Sequence, residues 1–264
     1  MINIYKVLIR NELLVELQYP LALAIWMLEK LLEPIIYLAV WTSVAVSQGG
    51  DVNGLTVADF AAYYIALLLV GHLTQNWHIW TIEWYVREGQ LSKYLVRPMH
   101  PIHESITNDW IYKLMMMVVI LPAMFLLAWL FSPSLQFDFG AVLRFIPAIC
   151  LAGALGFLGG WVVGLSAFWT TRNGTLVQMY FLMMLFFSGR IAPLELLPDF
   201  MRQVAFILPF RWIISFPIEV LLGWIPQQEV MIGLGIQFGW VVALILLAMG
   251  IWQMSVRRYS AVGG

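Results

Sequence analysis

Residues Phe60 to Pro98 read FAAYYIALLLVGHLTQNWHIWTIEWYVREGQLSKYLVRP, and three changes of character within this stretch decide the fold. It opens as an uncharged apolar run from Phe60 to Val70. Polar groups then gather at Gly71, His72, Thr74, Gln75, Asn76 and His78, with Glu83 beyond, before the run ends near Tyr85. After Arg87-Glu88-Gly89 the pattern contracts to Leu91, Tyr94 and Leu95, an i, i+3, i+4 face stopped by Pro98. At about 1.5 Å of rise per residue, a helix from Phe60 to Tyr85 is long enough to cross roughly 30 Å of hydrocarbon. The stretch predicts a membrane-spanning helix with a polar second half, a break at Gly89, and a short amphipathic helix at the membrane exit.

The whole chain supports that reading. Of its 264 residues 62% are hydrophobic and 11% charged, and mean hydropathy is +0.85. Soluble domains run near 45 to 50% apolar and about 25% charged. Fourteen Lys+Arg and fifteen Asp+Glu cannot clothe a soluble surface of this size, which excludes a soluble enzyme. A net charge of −1 with no basic run excludes nucleic acid as a partner, because a polyphosphate is held by clustered cations. The single Cys150 can form no internal disulfide or cysteine metal cluster. Lys6, Arg10, Glu12 and Glu16 interrupt the first twenty residues, so no cleaved signal peptide is expected there.

Six spans are expected in an all-α membrane domain covering residues 1–264, at about 21–46, 60–85, 109–131, 141–169, 175–188 and 230–254. Taking the N-terminus as cytoplasmic, the inside segments carry eight basic residues: Lys6, Arg10, Arg87, Lys93, Arg97, Arg172, Arg257 and Arg258. The outside segments carry four, Arg144, Arg190, Arg202 and Arg211. The positive-inside bias therefore predicts a multi-pass protein of the cytoplasmic (inner) membrane with both termini inside. Residues 1–19 alternate polar and apolar positions in helical register, as in a helix lying along the inner surface. Between spans 5 and 6, Pro193, Pro198, Pro209, Pro217 and Pro226 leave no room for another span, yet Phe200–Leu208 and Trp212–Trp224 are too apolar for an aqueous loop. Two short re-entrant helices within 193–225 satisfy both constraints.

The Glu-Gly-x-Leu-x-x-x-Leu-x-Arg-Pro pattern at Glu88 to Pro98 resembles the segment after the second span in ABC-2-type permeases, the membrane subunits of one class of ABC exporters. Phe187-Ser188-Gly189-Arg190-Ile191-Ala192-Pro193 and Leu208-Pro209-Phe210-Arg211-Trp212 are similar to the same family, most closely its short bacterial six-span branch. The resemblance runs in order over essentially the whole chain. It implies a half-transporter: this permease pairs with a second permease subunit, the same or a different chain, and two cytoplasmic ABC ATPase subunits dock beneath. Glu88, Gly89, Leu91, Tyr94, Leu95, Arg97 and Pro98 would form the coupling helix that receives the ATPase stroke. Phe187, Gly189, Arg190, Pro193, Pro209, Phe210 and Arg211 would belong to the outer gate. No Gly is followed by Lys anywhere in the chain, so a phosphate-cradling P-loop is lacking. No cofactor is expected in this chain, and ATP and Mg²⁺ would be bound by the partner ATPases.

Ionisable groups inside a span are functional candidates by default. In span 1 these are Glu29, Lys30 and Glu33; Glu29 and Glu33 share a face, and Lys30 is spaced to pair with Glu33. In span 2 they join His72, Gln75, Asn76 and His78. These residues either line the substrate pathway or hold the inner interface and the partner subunit, whereas the charges after span 5, Arg190 among them, are expected on the outer rim. The two histidines lie six apart, which does not suit a shared metal. Gly156, Gly160 and Gly164 repeat at four-residue steps that let helix backbones approach, within the subunit or across a dimer. The expected function is ATP-driven export of a hydrophobic or amphipathic substrate contacting membrane lipid. An ion-coupled carrier using Glu29, Glu33, His72 and His78 is the alternative, and a membrane-embedded enzyme the third.

Overall fold

The computed structural model describes residues 2–18, 20–135, 138–170 and 173–258. Among these the chain is nearly all helical: α1 (Ile2–Gln18), α2 (Pro20–Ser47), a hairpin of β1 (Asp51–Val52) and β2 (Leu55–Thr56), α3 (Val57–Thr74), α4 (His78–Arg87), α5 (Leu91–Leu95), α6 (Ile102–Phe131), α7 (Phe139–Leu165), α8 (Gly174–Phe187), α9 (Asp199–Ile207), α10 (Ser215–Leu222) and α11 (Gln227–Arg258). Among the described residues five helical stretches are long and apolar enough to cross a membrane: Leu28–Ser47, Val57–Arg87, Ile102–Phe131, Phe139–Phe168 and Gln227–Arg257. α8 has 14 residues, about 21 Å of helix, and falls short of a ~30 Å hydrocarbon layer.

α3 is the axis of the molecule. It is apolar all round, which suits a helix enclosed on every side, and Phe60, Ala61, Tyr63 and Tyr64 are completely buried among α2, α6, α7 and α10. Its start is set locally. Asn53 and Gly54, both at positive φ, turn the hairpin, and Thr56 and Asp59 then form a reciprocal capping box at the first turn. By contrast α6 and α11 leave large apolar side chains exposed along their length, including Val118, Phe125, Trp129, Ile232, Phe238 and Leu246.

The second span is not one continuous helix. The chain leaves helical geometry at Gln75, whose ψ is 145°, and resumes it at His78. Neither proline nor glycine stands in Gln75-Asn76-Trp77, so the sequence carries no signal for the break. Its support comes from α7. A Cβ at Gly156 would strike the Thr74 carbonyl, one at Gly160 would strike the Asn76 side chain, and one at Gly164 would come within 3.1 Å of the Ile79 carbonyl. Asn76 Nδ2 donates to the Gly156 carbonyl, satisfying a backbone group in α7 as it closes the approach. The four-step glycine row thus packs within the subunit, against the end of α3, the break at Asn76 and the first turn of α4.

The third span also differs from expectation. Its helix begins at Ile102 rather than Asp109, which places Asp109 and Lys113 well inside α6. α1 lies along this early part of α6: the Tyr5 hydroxyl is 2.6 Å from His103 Nδ1, and Asn108 donates to Glu12 at 2.8 Å. At the other end of the chain the Trp252 ring of α11 lies 4.3 Å from that of His100, tilted by 55°. The start of α1, the α5 region and the end of α11 therefore share one end of the molecule. Of the two short helices expected between spans 5 and 6, α10 is buried from Ser215 to Val220 and packs on α7 and α3, whereas α9 keeps Phe200, Phe206 and Ile207 exposed.

Candidate functional site

Where α2, α3, α4 and α6 meet, polar side chains form a belt through the apolar bundle. Lys30 Nζ donates to Gln75 Oε1 at 2.6 Å and stands 4.8 Å from the centroid of the Trp77 ring. Glu33 Oε1 pairs with Arg190 Nε at 2.8 Å. On α6, Lys113 Nζ pairs with Asp109 Oδ2 at 2.5 Å, both side chains being buried, and the Lys113 carbonyl lies 3.0 Å from His72 Nε2. Asp109 Oδ1 is 3.7 Å from His78 Nε2, too long for a hydrogen bond, and that nitrogen has no partner among the described residues. Two carboxylates, Glu33 and Asp109, thus pair with Arg190 and Lys113, while Lys30 is held by Gln75 and Glu29 is exposed. Pairing matters most for Asp109 and Lys113, because an unpaired buried charge is strongly destabilising.

Glu29, Lys30, Glu33, His72 and Gln75 come together around one small cavity of about 80 Å³, with Arg190 as its sixth polar member. A larger cavity of about 370 Å³ adjoins it, where Glu29, Lys30, His78 and Asp109 face Trp26, Trp77, Trp80 and Tyr112. Asn76 alone of the seven candidates turns away, toward α7. Two expectations are corrected. Lys30 bonds Gln75 rather than Glu33, and Arg190 is not on an outer rim but reaches Glu33 thirteen residues into α2. The reason is the shortness of α8: the chain turns at Ser188-Gly189 inside the bundle. Gly189 takes φ +86°, and a Cβ there would collide with the Tyr63 hydroxyl. The turn is pinned by Tyr63 donating to the Gly189 carbonyl at 2.7 Å, and by Tyr64 and Trp41 both donating to the Ile191 carbonyl, at 2.6 and 2.8 Å.

The other residues assigned to an outer gate surround this turn. Phe187 packs against the core and Pro193 is buried. Phe210, following half-buried Pro209, meets Tyr180 of α8 edge-on at 5.7 Å. Arg211 and Glu219 form a buried pair at 2.7 Å, as expected of structural charge pairs among the residues after span 5.

The α5 segment forms a second site. Gly89 at φ +64° allows the turn out of α4, and Ser92 donates back to its carbonyl. The amphipathic face is oriented differently from the expectation. Leu91 is 2% exposed and fills the chain's own interior. The Tyr94 hydroxyl lies 2.9 Å from that of Tyr85 on α4 and 3.2 Å from Glu104 on α6, and Arg97 pairs with Glu104 at 3.1 Å. Burial, with Glu104 adding to it, raises the Tyr94 hydroxyl above its ordinary pKa. What faces outward is Leu95 and, more fully, Val96 at 84% exposed, flanked by Glu88, Lys93, Arg97 and Pro98.

Sequence reading missed Asp109, Lys113 and Val96. The i, i+4 spacing of Asp109 and Lys113 was a usable signal for the first pair. Val96 had none, because it falls outside the i, i+3, i+4 face.

No curated protein matches the chain. A family match, described as ABC-2 family transporter protein, spans residues 31–263, from within α2, after Glu29 and Lys30, past the end of α11. An integral membrane protein with several apolar helices, matched over nearly its full length, this chain belongs to the ABC-2 family of transporter proteins.

Proposed function

We propose that the chain is the permease half of an ATP-driven exporter, pairing with a second permease and with two ATPase subunits that bind ATP and Mg²⁺. Permeases of this family generally work with ATPase subunits. The observation that carries the reading is the attachment of α5. Through Tyr94 it is bonded to both α4 and α6, the two elements that hold His78, Asp109 and Lys113 around the belt. A push on exposed Leu95 and Val96 would reach the polar belt through rigid contacts instead of being absorbed by a loop. In this reading α5 and both termini lie on the cytoplasmic side. α8, together with the turn at Ser188-Gly189, serves as the sixth crossing. The 370 Å³ cavity, with tryptophan walls and carboxylates, accepts a hydrophobic or amphipathic substrate on its way between the paired permeases.

The test is transport by the complete complex reconstituted in vesicles. Val96→Asp and Leu95→Asp should lower ATP-driven transport at least tenfold while nucleotide binding by the ATPase persists; full transport in the double variant would refute the coupling role. The belt itself favours one other reading, ion-coupled carriage through His78, Asp109 and Lys113. That reading requires uptake or efflux driven by a pH gradient in vesicles holding this chain without an ATPase.

A further inference from the structure

α6 and α7 follow one another in the chain but pack on different neighbours, α6 mainly on α3 and α1, α7 mainly on α11, α4 and α10. Between them lies a crevice of about 500 Å³, bounded also by Leu73 of α3 and by Val241 and Ile245 of α11. On α6 its wall is Ile102, Ile106, Asp109, Trp110 and Lys113, spaced to share one side of the helix. α1 is bonded to the same stretch through His103 and Asn108, neither of which lines the crevice. On α7, Cys150, Gly153 and Ala154 add little bulk, which leaves the volume unfilled.

Water is a poor occupant. Among the described residues Asp109 and Lys113 are the only charged side chains on the lining, and they are already paired with each other at 2.5 Å. A buried water needs two to four polar partners, which the remaining wall does not offer. Hydrocarbon fits in length and in access. From Ile102 to Lys113 is about 17 Å of helix, close to half of a ~30 Å hydrocarbon layer. Val241 and Ile245 stand midway along α11, so the crevice runs from the start of α6, beside α5, to the middle of the span. Its rim is open sideways: Trp110, Ile245 and Cys150 are exposed, and Leu114 and Leu246 continue the apolar surface on either helix. In an integral membrane protein that surface is wetted by lipid tails.

We propose that this crevice binds one acyl chain of a phospholipid from the leaflet at the α5 end, selected by fit along the chain and not by the headgroup. Contact holds it there, because an empty crevice leaves its lining without partner atoms on one side. The bound chain also backs the polar belt. Asp109 lines this crevice and the 370 Å³ cavity alike, and the Phe157 ring on the crevice wall lies 5.1 Å from that of His78, which lines the other. The proposal does not depend on the transport reading, since it concerns a ligand that stays in the membrane on the other side of that wall.

The test is photo-crosslinking of the purified full chain to a long-chain phosphatidylcholine that carries a diazirine along one acyl chain, with sites mapped by peptide mass spectrometry. Samples are irradiated either in lipid nanodiscs or after extraction and washing in lipid-free detergent. Washing should lower crosslinks at the exposed Val118, Phe125 and Trp129 of α6 at least tenfold more than those within residues 149–158. Long-chain phosphatidylglycerol should compete for the retained crosslinks as well as long-chain phosphatidylcholine does, and dihexanoyl phosphatidylcholine should not. Ala154→Phe fills the crevice from α7 and should abolish the retained crosslinks while sparing those of α6 in nanodiscs; Ile106→Trp fills it from the facing wall and serves if the first variant misfolds. Equal loss on washing at both places would overturn the site, with no variant needed. Competition by the dihexanoyl lipid would overturn recognition of the chain, and a strong preference between the two headgroups would overturn recognition by fit alone. Crosslinks within 149–158 that vanish once this chain is assembled with its second permease would give the crevice to protein instead of lipid.

Discussion

Lys113 and Asp109 show how one pair can order a polar belt in an apolar bundle. Each is nearly inaccessible, and each leaves the other an uncompensated charge if removed. Lys113→Met should therefore destabilise the chain by about 3 to 5 kcal/mol, whereas Lys113→Met with Asp109→Leu should recover most of that loss. Thermal melting of the two variants decides the point, and equal melting would mean that the pair is solvated. His100 tests the opposite logic, at the end of the molecule where α5 sits. Burial, then proximity to His103, holds its pKa below the ordinary 6.5, while the ring packs at a tilt against Trp252 and Nδ1 accepts from the Ile102 amide. A histidine whose folded pKa is lowered is favoured neutral, so its contribution is present above the unfolded value and fades as pH falls from 6.5 toward the folded one. Tm should drop across that window, and His100→Phe should flatten the drop.

Among the elements, the interrupted second span matters most. α3 and α4 are separated by three residues with no helix-breaking sequence, and the gap exists because α7 offers a glycine row for broken backbone to enter. Gly160→Val should push Asn76 out of its bond to Gly156 and cost about 1 to 3 kcal/mol by overpacking. Gly239, with open space around its Cβ position, is the control and should tolerate alanine. Comparable losses at the two positions would remove the case for a close approach. α5 behaves as an element with two unlike faces. Leu91→Asp should lower Tm because Leu91 is interior, while Val96→Asp should leave Tm unchanged and act only on coupling. A Val96→Asp variant as unstable as Leu91→Asp would contradict that division.

At the scale of the whole molecule, α6 and α11 expose apolar side chains along their length, as suits a membrane protein, and no Gly is followed by Lys in the sequence, so on the proposed reading ATP hydrolysis comes from partner subunits. Purified by itself in detergent it should show no ATPase activity; robust hydrolysis by the isolated chain would sink the half-transporter reading. The membrane class, the long apolar helices, the short helices between Pro193 and Pro226 and the existence of a helix after Gly89 were all legible in the sequence. Each depends on local quantities: apolar run length, proline spacing and turn residues. Six candidate residues of the belt were legible too, because a charged or polar group within an apolar run is conspicuous wherever it folds. The pairing was not. Lys30 finds Gln75, Glu33 finds Arg190, and Asp109 and Lys113 join the belt only because a 14-residue α8 turns back inside the bundle and α6 starts seven residues early. Sequence determined where charge would be scarce. Tertiary structure decided which charges meet, since partners in a low-dielectric interior are chosen by the geometry of distant segments and not by their spacing along one helix.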